Sequence, residues 1–164
     1  MTRSDQSGRV WLFGDNIDTD VLAPGRYMSG SIETLAAHCL EAVNPAFAPG
    51  VTPGDILIAG RNFGVGSSRE QAAECLKTLG IKAVIARSFA GIFYRNAINL
   101  GLPVLVGAAD HLTKDGDTAS IDIETATLAL PHTTVHCEPI PGFLLDMIAA
   151  GGLVPHLEKR FLKA

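Results

Sequence analysis

The residues best suited to chemistry stand together in the run GVGSSRE at residues 64–70. Its two glycines allow the backbone to turn tightly and to approach a ligand closely, and a helix is predicted to begin directly after them. The N-terminus of a helix favours anions, so Arg69 in the first turn is disfavoured unless an anion binds nearby. An arginine can clamp a carboxylate with two parallel hydrogen bonds. The run therefore predicts an anion site at a helix N-terminus.

A structural role explains part of the same run. Ser67 and Glu70 have the S-x-x-E spacing of a capping box, in which the hydroxyl accepts a bond from one orphan amide and the carboxylate reaches back to another. This explanation accounts for Ser67 and Glu70 but leaves Arg69 without a reason. The two roles are compatible, because a residue in a first turn can cap in one state and react in another.

Two phosphate-binding motifs can be tested against the same run. The P-loop requires a lysine and then Ser or Thr after its last glycine, whereas Ser67 and Ser68 follow Gly66 here. The dinucleotide fingerprint requires a third glycine where Arg69 stands, and Arg87, not an acidic residue, follows the next predicted strand. We therefore expect a small carboxylate ligand rather than a nucleotide.

The elements that must position this run alternate between strands and helices. Apolar runs predict strands at residues 10–13, 55–59, 83–86 and 103–106, and apolar spacings of three and four predict helices at residues 31–43, 68–79 and 89–100. This alternation favours parallel strands joined by right-handed crossovers. Short β segments then follow at residues 119–124, 127–130 and 134–138, with helices at residues 143–150 and 153–162. We expect one mixed α/β domain over residues 1–164.

The composition narrows the class of protein. The chain has 164 residues, of which 47% are hydrophobic and 18% are charged, as in a globular domain with a substantial core. A net charge of -4 argues against a nucleic-acid partner. The N-terminal residues are polar and no apolar run approaches the ~18 residues of a membrane span, so we expect a cytoplasmic protein with no membrane partner.

The three cysteines do not have the spacing of a metal site. Cys39, Cys75 and Cys137 lie far apart, without the C-x-x-C spacing of iron-sulfur and many zinc sites. They could still converge in space. We expect ordinary reduced thiols, partly buried, and no metal bound by this chain.

Three blocks of residues resemble the small subunits of isopropylmalate isomerase and homoaconitase, which are equivalent to the swivelling fourth domain of aconitase. The blocks are DTD at residues 18–20 with Pro24, NFGVGSSRE at residues 62–70, and RSFAGIFYRNAINLG at residues 87–101. The resemblance implies an aconitase-type swivel domain with three β/β/α layers and a mixed sheet with a parallel core. It also implies a hydro-lyase that moves a hydroxyl between adjacent carbons of a malate-like acid through an alkene.

The resemblance further implies a heteromeric enzyme that is active only with its large subunit. A [4Fe-4S] cluster binds the substrate hydroxyl in this family, and its three cysteine ligands belong to the large subunit. This chain would bind no cofactor itself. It would close over the cluster in a heterodimer or heterotetramer and supply part of the substrate's surroundings.

The same resemblance assigns roles to four residues by position. Ser67 corresponds to the family's catalytic base, which takes a proton from the carbon next to a carboxylate. A serine hydroxyl is a weak acid, so the helix N-terminus and Arg69 must favour its alkoxide. Ser68 and Arg69 would bind the substrate carboxylate as its charge grows. Asp20 would lie at the mouth of the active site.

Four more residues are expected to support these contacts. Asp18 lies in the DTD motif and Glu70 ends the serine-rich run. Arg95 and Asn96 stand on the predicted helix at residues 89–100. From there they could stabilise the loops at residues 14–25 and 60–66 by donating hydrogen bonds to backbone carbonyls. For Arg95, an ordinary exposed arginine on an amphipathic helix is an equally good interpretation.

The residues just after Tyr27 bear on the substrate. Homoaconitase-like members carry an arginine just after the tyrosine, to meet a distal carboxylate, whereas this chain has Tyr27, Met28 and Ser29. A tricarboxylate would therefore leave its distal carboxylate unpaired, unless the Arg26 side chain turned toward it. We expect conversion of 2-isopropylmalate to 3-isopropylmalate, as in leucine biosynthesis. Dimethylmalate, citramalate, homoaconitate and a non-catalytic carboxylate-binding role remain alternatives.

Overall fold

The computed structural model describes residues 7–162 of the chain. The strands are β1 (Gly8–Leu12), β2 (Ile56–Ala59), β3 (Ala83–Ala86), β4 (Val104–Val106), β5 (Thr118–Asp122), β6 (Thr127–Ala129) and β7 (Thr134–His136). The helices are α1 (Thr19–Leu22), α2 (Ile32–Ala36), α3 (Phe47–Gly50), α4 (Glu70–Leu79), α5 (Gly91–Asn99), α6 (Gly142–Ala150) and α7 (Leu153–Leu162). A single turn of 3-10 helix spans Gly25–Tyr27.

The seven strands form one sheet in the order β4-β3-β2-β1-β5-β6-β7. The first four strands pair in parallel, and the last three continue the sheet in antiparallel pairs. Every residue of β2 and β3 is buried. Continuous burial of short apolar runs is typical of parallel strands covered on both faces. The predicted mixed sheet with a parallel core is confirmed.

The two faces of the parallel strands are covered differently. One face, which includes Leu57 and Val84, packs against the helices α2 to α5. The opposite face, which includes Ile58 and Ile85, packs with apolar residues of β5, β6 and β7. The chain therefore forms the three β/β/α layers that were expected.

Two loops leave the carboxyl ends of β1 and β2 side by side. We call residues 13–18 the first loop and residues 60–69 the glycine-rich loop. The first loop leads into α1, and the glycine-rich loop leads into α4. Both loops therefore lie at the edge of a parallel sheet where ligand sites commonly form.

The predicted helix at residues 31–43 is wrong over most of its length. Ser31 is the N-cap as expected, since its hydroxyl accepts a bond from the Thr34 amide at 3.1 Å. The helix ends at Ala36, however, and turns follow. Leu40 has a φ of 60° and is fully buried, and its amide donates to Val21 O. This contact with the region of α1 overrides the helical periodicity.

The last two helices pack together and against α5. They leave Phe143 and Phe161 largely exposed. Neither these helices nor any other within residues 7–162 is long and apolar enough to cross a membrane.

We expect Gly64→Ala to lower the free energy of unfolding by about 3 kcal/mol. Gly64 has a φ of 83°, and a Cβ there would lie 2.2 Å from Cγ of Phe93. Left-handed backbone costs a non-glycine residue about 1 to 2 kcal/mol, and overpacking adds about 1 to 3 kcal/mol. Urea unfolding followed by circular dichroism measures the difference.

The control is Gly142→Ala, at the start of α6. Nothing lies within 4 Å of a Cβ built at Gly142, and its φ is not left-handed. An equal loss of stability in both variants would contradict the constraint assigned to Gly64.

Candidate active site

The first loop and the glycine-rich loop continue the parallel pairing of β1 and β2 beyond the strands. The Gly64 amide donates to Ile17 O at 2.7 Å, and the Thr19 amide donates to Val65 O at 2.8 Å. The buried Thr19 hydroxyl then donates to Ser67 O at 2.8 Å. These bonds fix the course of the backbone as far as the first serine.

Helix α5 is attached to the other side of the glycine-rich loop. The Phe63 amide donates to Ser88 O at 3.0 Å, and the Ala90 amide donates to Phe63 O at 2.9 Å. The absence of a side chain at Gly64 lets Phe93 of α5 pack directly on the loop backbone. The N-terminal ends of α4 and α5 are therefore held beside the same loop.

A small cavity of about 140 Å³ lies between the glycine-rich loop and α5. Its lining includes Thr19, Gly66, Ser67, Arg69, Phe93 and Asn96. A larger cavity of about 620 Å³ lies between β5 and α6, but none of the predicted site residues lines it. We regard the smaller cavity as the candidate site, because the serine, the arginine and two helix N-termini meet there.

Arg69 is held by an acidic residue of α1. Its Nη1 donates to Asp20 Oδ1 at 2.6 Å and to Ala23 O at 2.9 Å. The hydrogen bond from Arg69 and a further bond from the Gly25 amide lower the pKa of the Asp20 carboxyl below its ordinary value of 3.8. Asp20 therefore supplies the anion that a cation at a helix N-terminus requires.

The predicted capping box is wrong. Helix α4 begins at Glu70, so its N-cap is Arg69, and no side chain caps it. Gly66 has a φ of 103°, and the carbonyl of Ser67 is taken by the Thr19 hydroxyl, which leaves the serine ahead of the helix. The predicted start of the helix at Ser68 is also too early, by two residues. The Ser67 hydroxyl is therefore not used as a cap and lies at the exposed rim of the cavity.

The residues that were expected to support the site have different placements. Asp18 is the N-cap of α1, where Oδ1 accepts a bond from the Val21 amide at 2.8 Å. Ser68 and Glu70 are exposed beside the cavity without lining it. Their roles toward a ligand stay predictions.

Arg95 and Asn96 diverge although they are neighbours on α5. Arg95 is exposed and does not line the cavity. Asn96 does line it, and its Nδ2 is buried with no hydrogen-bond partner within residues 7–162. The expectation that the Asn96 amide donates to a loop carbonyl is therefore wrong, because this nitrogen makes no hydrogen bond to any residue of the described chain.

The predicted substrate segment lies outside the cavity. The Tyr27 ring stacks on His38 with ring centroids 3.6 Å apart, and the Arg26 guanidinium lies 5.4 Å from the centroid of the same tyrosine. Met28 is half-buried and Ser29 is exposed. The structure does not bring these residues to the wall formed by α5 and the glycine-rich loop.

Sequence reasoning missed Thr19, which positions the site, and His38, which anchors the turn that contains Tyr27. Thr19 stands inside the DTD motif, so its bond to Ser67 could have been sought there. His38 had no such signal, because it stood within a predicted amphipathic helix. Its contact with Tyr27 joins two turns that are formed only in the fold.

The three cysteines are buried, free thiols. Burial and the adjacent Cys75 raise the pKa of the Cys39 thiol well above its ordinary value, and burial raises the pKa of Cys137 to about 11. Without a metal nearby, the Cys39 and Cys137 thiols are therefore protonated at neutral pH. In the part of the chain that the structure describes, no three His, Cys, Asp or Glu residues are grouped to hold a metal ion.

The chain resembles known proteins over nearly all of its length. The family model of the aconitase C-terminal domain matches residues 40–108. The methanogen homoaconitase small subunit of Methanothermobacter thermautotrophicus is 49% identical over 155 residues, which cover 93% of this chain and 90% of that protein. The 3-isopropylmalate dehydratase small subunit 1 of Thermotoga maritima is 48% identical over 156 residues, covering 93% and 94%.

A solved structure shows the same architecture. The crystal structure of 3-isopropylmalate dehydratase from Methanocaldococcus jannaschii superposes with a TM-score of 0.89 at 46% sequence identity. The match covers 95% of each chain. At this similarity, fold and family are shared.

We expect the Asp20 titration to depend on Arg69. Because the folded pKa lies below the ordinary value, the ion pair stabilises the fold above about pH 4 and is lost as the pH falls through the folded pKa. Carboxyl ¹³C resonances followed against pH should show an Asp20 midpoint below 3.8 in the wild type. In Arg69→Gln the midpoint should return toward that value.

The control variant is Arg160→Gln on α7, which removes an exposed arginine far from Asp20 in sequence. It should leave the Asp20 midpoint unchanged. An equal response in the two variants would show that net charge, not the ion pair, determines the titration.

Proposed function

Because the chain belongs to the family of small subunits of 3-isopropylmalate dehydratase and homoaconitase, we propose that it is the small subunit of a hydro-lyase that isomerises a substituted malate. The reaction removes water to form an alkene and adds it back with the hydroxyl on the adjacent carbon. The observation that carries this proposal is the cavity where Ser67 and Arg69 meet at the N-terminus of α4.

Ser67 is the proposed base. The helix N-terminus and the Arg69 guanidinium both favour a negative oxygen, which a serine needs in order to accept a proton at neutral pH. The proton leaves the carbon next to a carboxylate, so negative charge spreads onto that carboxylate. Thr19 holds the Ser67 carbonyl, which fixes the backbone on which the hydroxyl stands.

Ser68 and Arg69 are proposed to hold the carboxylate while its charge grows. The Asp20 and Ala23 bonds both use Nη1 of Arg69. Its Nε and Nη2 have no bonding partner among residues 7–162 and can donate to a ligand in parallel. We assign Asp20 the role of orienting Arg69, since an ionised carboxylate would repel an anionic substrate.

Activity is proposed to require the large subunit. The leaving hydroxyl needs a Lewis acid, and the resemblance implies a [4Fe-4S] cluster held by the large subunit. Among residues 7–162, the buried cysteines belong to no group of three metal-binding side chains that could hold such a cluster. Gly66, Ser67 and Gly91 of the cavity lining are exposed, so the large subunit would cover this side of the cavity. A single continuous sheet supports one domain that docks as a unit.

Sequence identity does not separate the two substrate groups, because relatives named for isopropylmalate are 44% to 48% identical to this chain and relatives named for homoaconitate are 46% and 49% identical. The segment after Tyr27 supports the choice of 2-isopropylmalate. No cation stands at residues 28–30, and the Arg26 guanidinium lies toward the Tyr27 ring. A distal carboxylate would therefore lack a partner, whereas an apolar substituent needs none.

We expect Ser67→Ala to abolish turnover without preventing assembly. Loss of a general base lowers rates by about 100- to 10,000-fold, so kcat of the reconstituted pair should fall by about 1,000-fold. Alkene formation is followed by ultraviolet absorbance, and assembly by size-exclusion chromatography. Ser120→Ala on β5 is the control and should retain full activity. Full turnover by Ser67→Ala would exclude Ser67 as the base.

The substrate assignment is tested by supplying the missing cation. The wild-type pair should prefer 3-isopropylmalate over citramalate, dimethylmalate and homoaconitate. Ser29→Arg should move the ratio of kcat/KM values toward homoaconitate by about tenfold or more, since a paired carboxylate replaces an unpaired one. Ser29→Gln adds comparable bulk without charge and should not produce that shift. A wild-type preference for homoaconitate would overturn the assignment.

A further inference from the structure

The side-chain amide of Asn96 is a buried donor that the fold does not use. Its Nδ2 has no hydrogen-bond partner within residues 7–162, and the residue lines the same cavity as Ser67 and Arg69. Leaving such a donor unpaired destabilises the fold, because its hydrogen bond to water is lost and not replaced. Native structures pair the large majority of buried polar groups, so a group left without a protein partner commonly has a partner from outside the chain.

The N-terminus of α5 faces the same cavity. Its N-cap, Ala90, has no side chain able to cap the helix, and the first residues after it line the cavity. Gly91 is exposed and carries no side chain that would cover the first amides. The positive end of the α5 dipole therefore adds to that of α4 across the cavity.

The lining favours an anion. It contains a guanidinium, an amide donor, a serine hydroxyl and two helix N-termini, and it includes no aspartate or glutamate. Asp20, which pairs with Nη1 of that guanidinium, lies outside the lining. A volume of about 140 Å³ admits a carboxylate with its adjoining carbons and excludes a nucleotide. The acceptor that best matches an unpaired N–H donor in this field is a carboxylate oxygen.

We infer that Asn96 is a further substrate-binding residue, whose Nδ2 donates to a carboxylate oxygen of the malate-type substrate. This inference rests on the proposed function and changes the role expected for Asn96, from support of the loops to contact with the ligand. Arg69 and Asn96 then approach the substrate from two different helices.

Two variants of similar size test the contact. Asn96→Leu removes the donor, and Asn96→Asp replaces it with an anion. Because no protein hydrogen bond is lost, Asn96→Leu should leave the Tm of the free small subunit unchanged or raised. In the reconstituted pair it should lower kcat/KM by about 10- to 100-fold, as expected for a lost hydrogen bond to a charged group. Asn96→Asp should lower kcat/KM further, through repulsion of the substrate.

The order of the two variants separates a ligand contact from a structural role. If the amide holds only a water molecule or the fold, Asn96→Asp should be at least as active as Asn96→Leu, and the inference is overturned. Asn99→Asp adds the same charge at the exposed end of α5. It should change kcat/KM by less than about twofold, since an exposed charge is screened.

A binding measurement keeps this test separate from the proposed reaction. Malate titrated into the ¹⁵N-labelled free subunit should shift the Asn96 side-chain amide resonance and not that of Asn99. If the wild-type pair turns over none of the acids but this shift occurs, the proposed function fails and the carboxylate site stands. If the Asn96 resonance does not move and the two Asn96 variants are equally active, the carboxylate site is excluded.

Discussion

The structure depends on the backbone pairing that extends β1 and β2 into the two loops beyond them. Hydrogen bonds from the Gly64 and Thr19 amides carry the register of the sheet into the loops. These bonds tie both loops to the buried parallel strands, and the strands therefore fix the positions of the loops. Gly64 adds the second half of the constraint, since only glycine allows Phe93 to lie on the loop backbone. Two helix N-termini are thereby fixed on either side of one short segment.

Much of this fold could be predicted from the sequence, because its main signals are local. The buried runs that became β2 and β3 are short and apolar, and Gly80 ends α4 in a left-handed conformation that glycine adopts without strain. The predicted helix at residues 31–43 was wrong because a non-local contact determines where it ends. Its periodicity was real, but the buried Leu40 bonds to the backbone of Val21, and this distant partner is invisible in the pattern of apolar residues.

The candidate site shows the same division. The position of Arg69 at a helix N-terminus indicated that an anion was needed, and this followed from local electrostatics alone. The sequence did not show that the carboxylate of Asp20, 49 residues away, is one anion that binds Arg69. The spacing of Ser67 and Glu70 suggested a capping box, whereas the bond from Thr19 takes the serine carbonyl and keeps the residue out of the helix. Spacing defines what residues can do along a helix, and tertiary contacts decide which option is realised.

The turn at Gly25–Tyr27 begins where the pairing of the loops has ended. It is anchored instead by the stacking of Tyr27 on His38, beside α2. The Gly25 amide also donates to Asp20, the partner of Arg69, so only the start of this turn is linked to the glycine-rich loop. Substitutions at the exposed Ser29 and Gly30 can therefore change this surface while the bonds from Gly64 and Thr19 keep the backbone around Ser67 in place.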